Sequence, residues 1–232
     1  MTDWVIGVDL GQSQDYSALA VLHRCWWRPG QKPLPETAKL WHEVPKLKKW
    51  ELGTPYPVIT KEIIAIYRDI EARSDWGVKL VVDAGGPGRP VIDAIKAAVR
   101  KPQDARISLV AVTITGSGDE PHDKGDGYFT VPRSVLFNEL VTQAQWGNVK
   151  VADKLPDAAA LQREVTGFRP KINRDSGAMN YETMDSNVHD DIVMATAIVL
   201  WYSTKQLSTT FPGGRRGATI QPDFNPMAKP EI

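Results

Sequence analysis

Apolar residues fall in short runs early in the chain and change to helical spacing further on. Trp4–Leu10 and Ser17–Cys25 are two apolar runs joined by the polar connection Gly11–Tyr16. That pattern predicts a hairpin of buried strands. Trp26–Thr37 is rich in Pro and Gly and reads as a loop, after which Ala38–Val44 is expected to add a third strand to the meander. Ile59, Ile63, Ile66, Tyr67 and Ile70 then recur at helical spacing, predicting an amphipathic helix over Val58–Arg73. Val78–Val82 is a buried strand running into the turn Asp83-Ala84-Gly85-Gly86-Pro87-Gly88, and Pro90–Val99 follows as a helix with Pro in its first turn. Ile107–Ile114 is a further strand. Alternating strands and helices of this kind indicate parallel pairing, with helices packed on the sheet.

Gly116–Thr130 is dense in Gly and acids and reads as an exposed, mobile loop. Pro132–Trp146 reads as a helix, and Leu155, Ala158, Leu161 and Val165 mark another. Ala178–Thr183 is expected as a short strand. Ile192–Tyr202 is apolar on every side, which predicts a buried helix. After Ser208 the composition shifts to Gly, Pro and Arg, so the expected division is a folded domain over 1–208 and a flexible tail over 209–232. The fold class is α/β: a central mixed sheet, an antiparallel meander plus parallel strands, flanked by helices.

Composition narrows the function by exclusion. The 232 residues carry 28 Lys+Arg and 28 Asp+Glu, so net charge is zero. That is too even for a basic nucleic-acid coat or an acidic solvating tail. One cysteine, Cys25, excludes a disulfide framework and a cysteine-based zinc cluster. No apolar stretch reaches membrane-spanning length, and Met1-Thr2-Asp3-Trp4 has neither a basic leader nor a secretory core. The expectation is a cytoplasmic protein without a membrane partner.

The candidate chemistry lies in carboxylates. Asp9 ends an apolar strand, where an unpaired carboxylate is costly. Asp83 repeats the arrangement, a strand and then a Gly turn. His189-Asp190-Asp191 stands directly before the buried helix. Each has an ordinary structural reading: backbone hydrogen bonds at a strand end, an Asx-turn into Gly85-Gly86, and acids complementing a helix dipole that Asn187 can cap. Taken together they form a different picture. Two neighbouring strands ending in Asp bring both to one rim of an open α/β sheet. Clustered carboxylates raise one another's pKa. A hard divalent cation with oxygen ligands, Mg²⁺ or Mn²⁺, resolves the repulsion, and two such ions support phosphoryl displacement.

The residues carrying this pattern are Ile6-Gly7-Val8-Asp9 with Gln14-Asp15-Tyr16-Ser17-Ala18-Leu19, then Val82-Asp83-Ala84-Gly85-Gly86, then Asn187-Val188-His189-Asp190-Asp191-Ile192-Val193-Met194-Ala195. The set resembles the nuclease domain of phage terminase large subunits. Val131-Pro132-Arg133-Ser134, Trp146–Val151 and Leu161-Gln162-Arg163-Glu164-Val165 before Phe168 extend the resemblance over nearly residues 4 to 205. The resemblance implies an RNase H-like fold and metal-dependent endonucleolytic cleavage of double-stranded DNA during genome packaging. It implies Asp9, Asp83 and Asp191 as catalytic metal ligands, with Asp190 adjacent, Asp15 as an outer ligand and Asp9 bridging two Mg²⁺ or Mn²⁺ ions. The partners it implies are a packaging ATPase, a small terminase subunit and a portal, in the cytoplasm of a bacterial host. No G-x-x-x-x-G-K-[ST] motif occurs in the chain, so the resemblance covers the nuclease half alone.

With no net charge, DNA contact would come from local basic groups: Lys46, Lys48 and Lys49; Arg89 beside the Asp83 turn; and Arg169, Lys171 and Arg174. Two other readings stay open. Val8-Asp9-Leu10-Gly11 and Asp83-Ala84-Gly85-Gly86 also resemble the phosphate loops of actin-like ATPases and sugar kinases, although His189-Asp190-Asp191 has no role there. A non-catalytic packaging accessory that keeps the fold is the third.

Overall fold

The computed structural model describes residues 4–11, 15–26, 40–98, 107–116, 118, 120–152, 154–172, 179–183 and 189–209. Residues 27–37 of the expected loop, the first two residues of the expected third strand, the tail after Thr209, Arg174 and Asn187 lie outside the described residues.

Strands β1 (Trp4–Asp9), β2 (Ala18–Trp26) and β3 (Leu40–Lys49) form the expected antiparallel meander. The third strand runs past Val44 to Lys49, through charged residues that mask its period. On its other side β1 pairs in parallel with β4 (Val78–Asp83), which pairs in parallel with β5 (Leu109–Thr115). With β6 at His122–Gly125, β7 at Tyr128–Pro132 and β8 at Val149–Val151, the eight-stranded sheet has the order β6-β7-β5-β4-β1-β2-β3-β8. The expected mixed α/β sheet is therefore the observed one.

The stretch expected as a mobile loop is instead a hairpin. β6 (His122–Gly125) and β7 (Tyr128–Pro132) pair antiparallel, and β7 also pairs in parallel with β5. Of the acids and glycines that suggested a loop, Asp123 and Gly125 lie on β6, an exposed edge strand, and Asp126 and Gly127 in its turn. Gly125, Asp126 and Gly127 all have positive φ there, of 82°, 52° and 78°. The apolar signal is confined to Phe129 and Val131 on β7, both buried.

Period-two alternation sorts the sheet into two cores. Ile6, Val8, Leu19, Val21, Leu80 and Val82 face α1 (Tyr56–Glu71) and α2 (Gly88–Ala98). Val5, Ala18, Ala20, Leu22 and Val81 face the layer formed by α3 (Arg133–Gln145), α4 (Ala158–Thr166) and α5 (Asp191–Thr209). A small second sheet pairs β9 (Phe168–Ile172), which no sequence signal marked, with β10 (Met179–Thr183). Phe168 anchors it against Phe137 of α3, ring centroids 4.4 Å apart.

Helix α5 is the central support. It lies so close to β1 that a Cβ on Gly7 would sit 2.4 Å from Val199 Cγ1 and 2.5 Å from the Ala195 carbonyl oxygen. Further along, buried Arg24 of β2 donates from Nε to Ser203 Oγ at 2.6 Å and from Nη2 to the Ser203 carbonyl at 2.7 Å. His42 of β3 lies 2.9 Å from the same hydroxyl. Gly7 contacts Ala195 and Val199, while Arg24, near the start of β1, contacts Ser203. The helix therefore runs antiparallel to β1, and its N-terminus stands over that strand's C-terminal end.

Candidate functional site

Strand parity and register decide where the carboxylates meet. Asp9 follows Gly7 and Val5 on the α5 side of β1, and Asp83 follows Val81 on the same side of β4. Val8 pairs with Val82, so Asp9 and Asp83 come next at one level on adjacent parallel strands, whose separation is about 4.8 Å. Asp191 is the first residue of α5, above that rim. The carbonyl of Asp190 accepts the Met194 N–H at 2.8 Å, so Asp190 is the residue that opens the helix. The rim thus brings together the strand-end and helix-start aspartates expected from the sequence.

Electrostatics report the same convergence. The Asp9 carboxyl is pushed well above the usual carboxylate range, first by burial, then by Asp83 and Asp191; Arg133 opposes this and Asp15 adds to it. Burial also raises Asp83, although Asp83 Oδ1 accepts the Gly85 N–H at 2.9 Å in the expected Asx-turn. Burial raises Asp191 too, and the ammonium of Lys49 partly offsets it. Asp9, Asp83 and Asp191 do not all close to within 4.8 Å of one another, as the ligands of a single ion would.

Three further residues complete the site. Lys49 Nζ lies 3.1 Å from Asp191 Oδ2 and 3.2 Å from Glu164 Oε1, and 4.2 Å above the centre of the Tyr16 ring. Glu164 of α4 is 5% exposed, and its other oxygen accepts the backbone N–H of Val193 at 3.0 Å. It thereby satisfies one of the N–H groups left open at the start of α5. Arg133, at the start of α3, pairs with Asp190. The two adjacent aspartates are therefore distinct: Asp191 adjoins Lys49 and acts on Asp9, while Asp190 is held by Arg133. Asp15 is exposed at the rim, and the Tyr16 ring meets His189 edge-on at 5.1 Å.

Glu164 and Arg133 carried no site assignment in the sequence. Glu164 had a readable signal: it sits three residues after Leu161 on the buried face of α4, where a carboxylate requires a partner. Arg133 offered none beyond its place after Pro132.

The expected basic group of Lys46, Lys48 and Lys49 is split by the alternation of β3. Lys48 pairs with Glu62 of α1, which also accepts the Trp50 indole N–H at 2.9 Å. Exposed Lys46 stands on that side too, whereas Lys49 is turned into the carboxylate site. Arg89 is exposed in the first turn of α2. Arg169 and Lys171 belong to β9, and their side chains lie outside the description.

No family model matches the sequence, and no curated protein matches it. Solved structures do. The large terminase nuclease from thermophilic phage G20c superposes with a TM-score of 0.53 at 21% identity, covering 87% of this chain and 82% of that one. The Mn-soaked human cytomegalovirus terminase nuclease domain superposes with a TM-score of 0.52 at 8% identity, covering 86% and 83%. At these identities what is shared is the architecture, and the chain has the RNase H-like fold.

Proposed function

We propose that this chain is a metal-dependent endonuclease that cleaves double-stranded DNA, and that it serves genome packaging as a terminase nuclease domain does. The observation that carries the reading is the placement of Asp9 and Asp83 at one level on adjacent parallel strands, beneath the α5 N-terminus that begins with Asp191.

The donor set fits divalent cations. All candidate ligands are carboxylate oxygens, which select hard Mg²⁺ or Mn²⁺. Asp191 Oδ2 is buried, and the Lys49 ammonium 3.1 Å away marks it as a position where positive charge is held. The mutual raising of Asp9 by Asp83 and Asp191 is the repulsion a cation would relieve. Asp9, Asp83 and Asp191 spread wider than the ligands of one ion, so they would hold more than one ion between them. These three carboxylates would hold the ions, which would supply charge stabilisation for a phosphodiester displacement.

The chain's own groups then have separable roles. Asp9, Asp83 and Asp191 hold the ions, and Asp15 stands by as an outer acid. Lys49 and Glu164 fix the position of Asp191 by gripping it and the first turn behind it. Arg133 holds Asp190 aside. Lys46, Arg89, Arg169 and Lys171 are the candidate phosphate contacts, giving salt-dependent binding without sequence preference. A packaging ATPase, small subunit and portal are the proposed assembly partners. The cytomegalovirus domain's Mn soak supports the choice of metal by analogy of fold.

Supercoiled plasmid incubated with Mn²⁺ or with EDTA tests this reading. Nicked and linear products with Mn²⁺, absent with EDTA and in Asp9→Asn, are expected. A plasmid intact under every metal condition would favour the non-catalytic accessory instead.

A further inference from the structure

At the other end of β1 from Asp9 lies a second group of metal-ligating side chains. His23 and Cys25 alternate on one face of β2, and Glu43 of β3 is the cross-strand partner of His23. His23 Nδ1, Cys25 Sγ and a Glu43 carboxylate oxygen all lie within 4.8 Å of one another, the one such trio among the described residues. Sγ is 3.3 Å from Nδ1, and Nδ1 is 4.0 Å from Glu43 Oε2. Ligands of a tetrahedral zinc ion, with metal–sulfur about 2.3 Å and metal–nitrogen about 2.0–2.1 Å, lie roughly 3.3–3.6 Å apart. Small side-chain rotations therefore close the set.

Two contacts orient the ligands in advance. The Trp4 ring stacks on the His23 imidazole, centroids 4.1 Å apart and planes 17° from parallel. The Trp41 indole N–H donates to Glu43 Oε1 at 3.2 Å, leaving Oε2 toward His23. Outer contacts of this kind are what fix ligand geometry in metal sites. His23 and Glu43 side chains keep 32% and 47% exposure, so an ion can enter from solvent.

From this geometry we infer that His23, Cys25 and Glu43 form a zinc site, with the fourth position open to solvent and the ion clamping β2 to β3. One thiolate, one imidazole and one carboxylate suit Zn²⁺ rather than the hard ions proposed for the acidic site. The inference does not rest on the nuclease reading.

Cobalt substitution provides the test. The full chain, stripped with EDTA and dialysed, is titrated with Co²⁺ as a spectroscopic stand-in for zinc. The expected result is a thiolate-to-cobalt charge-transfer band saturating at one equivalent and displaced by Zn²⁺. The band should vanish in Cys25→Ser, and half-saturation should rise at least tenfold in His23→Gln and Glu43→Gln. It should persist in the double variant Asp9→Asn/Asp191→Asn. Circular dichroism verifies that each variant is folded, and Cys25→Ser, which changes one atom, remains informative if the others are not. No band in the wild type, a band retained by folded Cys25→Ser, or one lost in the double aspartate variant would overturn the assignment.

Discussion

Gly7 and Ala195 are in direct backbone contact: a Cβ on Gly7 would stand 2.5 Å from the Ala195 carbonyl oxygen. Asp9 lies two residues beyond the one, and Asp191 four residues before the other. The closeness of strand and helix at this point thus sets the separation of the two carboxylates. Gly7→Ala is expected to destabilise the protein by about 1–3 kcal/mol, the usual effect of overpacking. It should weaken Mn²⁺ binding as well, because α5 must shift outward. Thermal unfolding with and without Mn²⁺ checks both. A variant destabilised to this extent whose Mn²⁺ affinity is unchanged would contradict the spacing role.

Asp9 has an expected stability signature of its own. Its folded-state pKa is raised, first by burial and then by Asp83 and Asp191. A raised pKa means that the folded form binds the proton better. Its contribution is therefore full below the unfolded carboxylate value and is lost as pH rises through the folded one. At neutral pH without metal, Asp9→Asn should melt higher than the wild type, by roughly 2–4 °C for each kcal/mol relieved. The gap should close as pH falls toward 4, the region of an unperturbed Asp, and Mn²⁺ should reverse it. Differential scanning calorimetry across pH reads all three.

Lys49 is expected to matter most when metal is absent. It is the cation between Glu164 and Asp191, with 19% of its side chain exposed. Lys49→Met leaves both carboxylates uncompensated and should lower stability by about 3 kcal/mol, the lower end for removing one partner of a buried pair. Mn²⁺ should recover more of the melting temperature in this variant than in the wild type. Glu164→Gln, which keeps an acceptor for the Val193 N–H, should cost less. An equal Mn²⁺ response in wild type and Lys49→Met would show that the ammonium and the ions do not share the site.

The sheet and the metal candidates were legible for different reasons. Asp9 and Asp83 stood out because an acid after an apolar run breaks a pattern, and Asp191 because the helix behind it is apolar on all sides. With β3 expected to end at Val44, the sequence groups Lys49 with Lys46 and Lys48; the strand extends to Lys49, and alternation separates it from them. Glu164 depended on α4 packing against α5, a contact between segments distant in sequence. The β6–β7 hairpin was hidden because an edge strand tolerates a polar, Gly-rich composition. The trio His23, Cys25 and Glu43 required the register of two strands joined by a long connection, which no local pattern supplies.

His42 provides a test of the packing rather than of the site. It is fully buried, and its pKa is lowered from 6.5 to about 4, chiefly by burial and then by Arg24. A lowered His pKa means that unfolding takes up a proton. Its contribution is present above about 6.5 and lost as pH falls toward 4. The loss attributable to His42 should reach roughly 3 kcal/mol over that range. Urea unfolding of wild type and His42→Asn between pH 7 and 4 should show the smaller pH slope in the variant. Equal slopes would mean that His42 is not buried uncharged against α5.

The central claim is that acids distant in the chain hold divalent ions together. A crystal of the full chain soaked in Mn²⁺, examined by anomalous scattering, tests it most directly. Two peaks are predicted at the rim, with Asp9 touching both, Asp83 and Asp191 each touching at least one, and Lys49 displaced from Asp191. Anomalous density absent from Asp9, Asp83 and Asp191 at saturating Mn²⁺ would contradict the account.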